Sequence, residues 1–220
     1  MRYMVFAIGD VHGQYWRLVE LLAKLPLQDE DQIVFVGDYI DRGPASSEVI
    51  QLLIELKAAR PNTIFLRGNH EQMMLDARSY KDRYQYTALW FGNGGAETVD
   101  SYPRGTGWIE RVPSEHWKFI EETIFEYWLG AYAFVHAGFL PKGAKWPHDE
   151  DPRLWIREPF IYSKFDFGAR VIFGHTPQKT GEPLVKKNKI GIDTAAAYGG
   201  PLTAVELDPS GAKDPIFYKC

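Results

Sequence analysis

The chain has 220 residues, 45% of them hydrophobic and 25% charged, with a formal charge of −4 and one cysteine. That suits one ordinary α/β domain rather than two, is too apolar for a disordered chain, and offers no general attraction for nucleic acid or anionic lipid. No apolar run approaches bilayer length, the N-terminus carries no signal-type segment, and Cys220 alone makes neither a disulfide nor a thiolate metal cluster, so a soluble cytoplasmic protein is expected.

In chain order, three β-branched or aromatic runs each end in glycine followed by a polar residue: 4–9 before Asp10, 33–37 before Asp38, and 64–68 before Asn69. Between the first two, Leu18, Val19, Leu21, Leu22 and Leu25 recur at helical spacing and Pro26 closes the helix. Between the second and third, Val49, Ile50, Leu52, Leu53 and Leu56 do the same, followed by Pro61. The spacing is near the roughly 30 residues of a βαβ unit. Parallel strands with right-handed crossovers would bring Asp10, Asp38 and Asn69 to one sheet edge, where open α/β sheets bind ligands.

Residues 71–126 are aromatic-rich and predicted mostly helical, with a break at 92–95; they are expected to form an insertion over the site within a single domain spanning 1–220. Trp90, Phe91 and Tyr86 fit helix packing better than a base-stacking surface. Ser114 after Pro113 is the expected N-cap of a helix, which makes His116 structural. Strand character returns at 132–135 before His136, at 171–173 before His175, at 189–192 before Asp193, and at 202–207 and 216–219, the last two expected to be antiparallel. Without long helices between them, these strands suggest a second sheet packed on the first. Lys186, Lys187 and Lys189 are expected to form a solvated turn.

The polar residues at the strand ends carry metal-type chemistry. Asp10 and His12 place a carboxylate and an imidazole within reach of one cation, and the two oxygens of Asp38 can bridge two cations. Asp41 and Arg42 add a carboxylate and a planar donor fork suited to phosphate or carboxylate. Asn69 and His70 follow the third strand, and His136 and His175 each follow a run of their own. Mixed oxygen and nitrogen donors without thiolate suit Mn, Fe or Zn better than Ca or soft Cu.

As an ordered set, Gly9-Asp10-Val11-His12-Gly13, Gly37-Asp38-Tyr39-Ile40-Asp41-Arg42-Gly43, Gly68-Asn69-His70-Glu71, His136-Ala137-Gly138 and Gly174-His175 resemble the calcineurin-like metallophosphoesterases. The spellings Asp38-x-x-Asp41-Arg42-Gly43 and Arg67-Gly68-Asn69-His70-Glu71 resemble the phosphoprotein phosphatase branch, which includes bacterial and phage-type protein phosphatases and symmetrical diadenosine tetraphosphatases. The resemblance spans about residues 5–175. It implies an α/β fold, a two-sheet sandwich flanked by helices.

The same resemblance implies two divalent cations, manganese first and iron or zinc next. Asp10, His12 and Asp38 would hold one, and Asp38, Asn69, His136 and His175 the other. His70 would be the general acid, oriented by Asp41, with Arg42, Arg67 and Arg157 binding phosphate. Water held by the cations would attack phosphorus directly. The implied substrate is a phosphoserine or phosphothreonine protein; the alternative is a phosphorylated small molecule or dinucleotide such as diadenosine tetraphosphate. A non-catalytic metal-binding scaffold fits less well, because no residue of the set is missing. No Gly-x-x-x-x-Gly-Lys-Ser/Thr loop is present to suggest ATP-dependent phosphotransfer. Oligomeric state is not encoded in these motifs.

Overall fold

The apolar runs build two five-stranded sheets in a computed structural model that describes residues 3–79 and 83–220. The first half runs β1 (Val5–Ile8), α1 (Tyr15–Lys24), β2 (Gln32–Phe35), α2 (Ser46–Ala59), β3 (Ile64–Phe65), α3 (Asn69–Ser79), α4 (Arg83–Trp90), α5 (Ala96–Ser101), α6 (Trp108–Arg111) and α7 (Ser114–Glu121). The second runs β4 (Glu126–Leu129), β5 (Tyr132–Val135), α8 (Pro152–Trp155), α9 (Glu158–Ile161), β6 (Arg170–Phe173), β7 (Leu184–Val185), β8 (Lys189–Gly191), β9 (Thr203–Leu207) and β10 (Ile216–Lys219).

One sheet has the order β10-β9-β1-β2-β3, with β1, β2 and β3 parallel and β9 antiparallel to β1. The other has the order β4-β5-β6-β8-β7, with β5, β6 and β8 parallel and an antiparallel partner at each edge. Period-two alternation sorts the side chains: Val5 and Ala7 of β1 meet Val34, Phe134, Ile172 and Ile190 between the sheets. Phe6 and Ile8 turn outward onto Leu18 and Leu21 of α1 and Val49 and Leu53 of α2. The outer face of the second sheet is covered by Ile156 and Phe160. Both faces of β1 are therefore buried, as an uninterrupted apolar run requires. No helix among the described residues is long and apolar enough to cross a membrane.

Several elements depart from expectation. β9 and β10 are antiparallel as expected, but they return to the first sheet, where β9 occupies the edge of β1 that β2 leaves open. Pro113 occupies the cap position of α7, and Ser114 is already helical, its hydroxyl bonded to Glu115. His116 is structural, held between the Tyr102 hydroxyl (2.9 Å) and the Gln51 amide oxygen (3.2 Å). Of the three lysines expected in a solvated turn, Lys187 is exposed but Lys189 is buried. Its ammonium lies 4.0 Å over the Phe160 ring and donates to Ser163 O, while Lys186 donates to Ile161 O, so the pair ties α9 to the second sheet.

The six parallel strands present their carboxyl ends to one place. His136 Nδ1 donates to Val36 O at the end of β2 (2.9 Å), and the His175 N–H donates to Asp10 Oδ2 (2.9 Å), joining the two layers. Gly9 lies at that seam, where an added Cβ would fall 2.3 Å from Ile192 O. Gly9→Ala is expected to destabilise the fold by about 1–3 kcal/mol through overpacking. Thermal unfolding checks this: a fall in Tm of roughly 2–12 °C is expected for a chain of this size, and an unchanged Tm would show that the layers part without strain.

Candidate active site

Just beyond the strands, the backbone enters conformations that L-residues avoid. Positive φ occurs at six described non-glycine residues, and five of them are His12 (45°), Asp38 (54°), Asp41 (73°), Arg42 (67°) and His175 (62°). Each such residue costs about 1–3 kcal/mol that surrounding contacts must offset. For the loop after β2 the offset comes from Glu71. Its buried carboxylate accepts the N–H groups of Asp38 (2.9 Å) and Gly68 (2.9 Å) at Oε2, and those of Tyr39 (2.8 Å) and Ile40 (3.3 Å) at Oε1. Burial, and then the Asp38 charge, push its carboxyl up to about 7. Sequence reasoning missed this role, although Glu71 closes the Arg67-Gly68-Asn69-His70-Glu71 run.

All six residues expected to ligate metal are buried, and around Asp38 the donor atoms form two groups, one with His12 and His70 and the other with His136 and His175. His12 donates from Nδ1 to Ile40 O (2.9 Å), as His136 does to Val36 O, which leaves Nε2 of each ring unprotonated. His12 Nε2 faces Asp38 Oδ2 at 3.5 Å, and His136 Nε2 faces Asp38 Oδ1 at 3.4 Å. His136 Nε2 and His175 Nδ1 both lie 3.0 Å from the amide oxygen of Asn69. Burial lowers the imidazole pKa of His12 to about 3 and also lowers those of His136 and His175, so all three rings offer lone pairs.

Asp10 Oδ1 is buried without a hydrogen-bond partner, and burial together with Asp193 and Asp38 raises its carboxyl well above the usual range. Lone pairs and carboxylate oxygens packed this way repel one another unless cations lie between them, so the donor set fits divalent metal. By distance alone His70 also groups with His12 and Asp38. Its chemistry differs: Nδ1 is 2.6 Å from Asp41 Oδ2, and although burial opposes its charge, Asp38 and Asp41 raise its pKa overall. A ring that keeps its proton is a poor ligand and a good acid.

Asp41 is itself braced from residues 71–126. Trp90 Nε1 (2.9 Å) and the Thr98 hydroxyl (2.6 Å) donate to its carboxylate, and Gly94 O accepts the Arg42 N–H (3.1 Å). The described part of the segment is helical as expected, but none of its described residues lines the cavity of about 100 Å³ at the site. Arg42, Arg157, Pro177 and Tyr198 form the rim of that cavity, above Asp38, Asn69, His70 and His175. Arg42 also reaches His12 Nε2 at 2.7 Å.

Arg67 does not join them. Its guanidinium donates to Thr123 Oγ1, Gln72 Oε1 and the Glu121 carbonyl, and packs on Phe125. The carbonyls left open where α7 ends draw it away. Asp193 does belong to the neighbourhood, buried at the end of β8 with a carboxyl raised to about 6 by burial, against the pull of the Ala195 N–H it accepts. The signal was the same apolar-run-then-polar pattern that singled out Asp10 and Asp38.

Glu71→Gln should strand two backbone N–H donors, whichever oxygen the amide nitrogen replaces, at about 1–3 kcal/mol each. The expected result is a lower Tm together with reduced Mn²⁺ retention, measured by melting and by metal content after gel filtration. Unchanged values in both would show that the loop stands without the carboxylate.

The sequence pattern of the calcineurin-like phosphoesterase family matches residues 3–197. The chain is 30% identical over 219 residues to serine/threonine-protein phosphatase 1 of Salmonella typhimurium, covering 92% of this chain and 91% of that one. It is 29% identical over 226 residues to the asymmetrical bis(5'-nucleosyl)-tetraphosphatase PrpE of Oceanobacillus iheyensis, covering 90% and 86% respectively. A crystal structure provisionally assigned as a diadenosine tetraphosphatase superposes on all of this chain and 94% of its own, with a TM-score of 0.68 at 20% identity. With the match running from Tyr3 through the donor cluster to the loop beyond β8, the chain belongs to the calcineurin-like phosphoesterases, a family of metal-dependent hydrolases.

Proposed function

We propose that the protein is a binuclear, manganese-dependent phosphoprotein phosphatase acting on phosphoserine and phosphothreonine. The observation that carries the reading is the placement of Asp38: each carboxylate oxygen faces a different group of imidazoles, beside a His70 whose Nδ1 lies 2.6 Å from Asp41. Asp10, His12 and Asp38 would hold one cation, and Asp38, Asn69, His136 and His175 the other. When bound, such a pair supplies an acidified water as nucleophile and positive charge for the phosphate oxygens.

The remaining work falls to side chains. Arg42 and Arg157 at the rim bind the phosphoryl oxygens and stabilise the charge that spreads over them in the transition state. As the bond from phosphorus to the leaving oxygen breaks, His70 delivers its proton to that oxygen, and Asp41 keeps the ring aimed. Arg67 anchors the end of α7 and leaves the clamp to the other two arginines. A cytoplasmic setting completes the reading.

Cleavage of a dinucleoside polyphosphate is the second reading, supported by the PrpE relative, whose named activity is asymmetrical rather than the symmetrical kind suggested by the motifs. Trp90 weighs against it as a base platform, because its ring is fully buried and its N–H is committed to Asp41. The deciding experiment compares a phosphothreonine peptide, p-nitrophenyl phosphate and diadenosine tetraphosphate in Mn²⁺. The peptide is expected to be hydrolysed with the highest kcat/KM, and a large preference for the dinucleotide would reverse the order of the two readings.

His70→Asn is expected to keep its metal and lose turnover by roughly 100- to 10,000-fold on a phosphomonoester with a poor leaving group. The loss should shrink on p-nitrophenyl phosphate, whose leaving group needs little protonation. Equal losses on both esters would assign His70 a role other than acid.

A further inference from the structure

A second cavity, of about 360 Å³, opens beside the phosphate pocket and is lined by Arg42, Gly92, Asn93, Gly94, Glu97 and Tyr198. Arg42 and Tyr198 line both spaces, so a group bound in one is a direct neighbour of a group bound in the other. Tyr198 is 64% exposed, with the Arg42 guanidinium 5.4 Å above its ring.

The loop carrying Tyr198 is internally fixed. The N–H groups of Tyr198 and Gly200 both donate to Ala195 O (2.9 and 3.0 Å), the Thr194 hydroxyl donates to Pro201 O (2.7 Å), and the Ala195 N–H donates to Asp193 (3.0 Å). An exposed aromatic ring on so constrained a turn is preorganised for a ligand.

The rest of the lining comes from the turn before α5 and from the first turn of α5. Asn93 gives its amide N–H to Leu89 O (2.8 Å), which leaves its amide oxygen as an acceptor. Glu97, in the first turn of α5, is exposed and makes no ion pair with another described residue. Arg42 belongs to the phosphate pocket, so the side chains that this cavity adds are an aromatic face, an amide oxygen and a carboxylate without an ion-pair partner among the described residues. That combination suits a cationic donor: a π face and a carboxylate both attract one, while neither favours an anion.

We propose that this cavity is a specificity subsite for a lysine or arginine side chain flanking the phosphorylated residue of a protein substrate. The inference rests on the phosphoprotein reading above. The cation would lie between Tyr198 and Glu97 while its neighbour's phosphate occupies the pocket under Arg42 and Arg157.

The test compares kcat/KM for two phosphothreonine peptides that differ only in carrying lysine or alanine on both sides of the phosphothreonine. Mn²⁺-loaded wild type, Glu97→Gln and Glu97→Lys are assayed at low ionic strength. An exposed cation–π contact and an exposed ion pair together predict a wild-type preference for the lysine peptide of roughly 3- to 30-fold. The ratio should fall in Glu97→Gln and drop below one in Glu97→Lys.

A wild-type ratio of one, or a preference that survives Glu97→Lys, overturns the subsite while leaving the phosphoprotein reading intact. Hydrolysis of p-nitrophenyl phosphate with neither peptide turned over removes the phosphoprotein reading and the subsite with it. Competition by adenosine 5'-monophosphate that disappears in Tyr198→Ala, while inorganic phosphate still inhibits that variant, would assign the cavity to a nucleobase and overturn the proposal.

Discussion

Four peptide N–H groups converging on the buried carboxylate of Glu71 hold the site in its working shape. The loop they fix bears Asp38, Asp41 and Arg42, all with left-handed backbone that would otherwise relax toward ordinary turn conformations. The arrangement stacks charge on charge. Asp10, Asp38, Asp41, Glu71 and Asp193 are all buried in one neighbourhood, with three lone-pair imidazoles and Arg42 among them. Buried carboxylates at this density either take up protons or accept cations. The raised carboxyls of Asp10 and Asp193 show the first tendency, so binding divalent cations here displaces protons, and metal affinity rises with pH.

A second set of contacts works outward from Asp41. Trp90 and Thr98 satisfy the carboxylate that orients His70, and Gly94 sits against the backbone of Arg42 so closely that a Cβ there would fall 2.8 Å from Arg42 N. The helices after His70 thus reach the chemistry through one acid–base pair and one arginine. They brace the site through Asp41 and Arg42, and Gly92, Asn93, Gly94 and Glu97 line the space beside the phosphate pocket.

The strand-end residues were legible because the requirement behind them is local: an apolar run must end, and a polar residue that ends it lies at the sheet edge. Asp10, His12, Asp38, Asn69, His136 and His175 all follow that rule, and Asp193 follows it without having been taken up as a site residue. Trp90 and Thr98 follow no local rule. Each contacts Asp41 across about half a hundred positions, a pairing that only the packing of α4 and α5 creates. Arg67 stands in a phosphate-type run, and in this structure carbonyls at and just beyond the end of α7 hold its guanidinium, a pairing that the run itself does not encode. The return of β9 and β10 to the first sheet was illegible for a related reason. Strand character is written in the local pattern, but the choice of neighbour depends on which edge is left unpaired.

This division between strand ends and rim bears on how specificity is expressed. Asp38, Asn69, His70 and His175 lie at the floor and would meet the same phosphoryl group in any substrate. Arg157, Pro177 and Tyr198 come from loops, which can change without disturbing the sheets. Arg42 alone belongs to both, fixed at its backbone by Gly94 and bordered at its guanidinium by His12 and Tyr198. A substrate group that packs on Tyr198 therefore alters the surroundings of the arginine expected to stabilise the transition state. Binding energy gained at the rim is then partly realised only as the phosphate reacts, and discrimination between substrates should fall on kcat as well as KM.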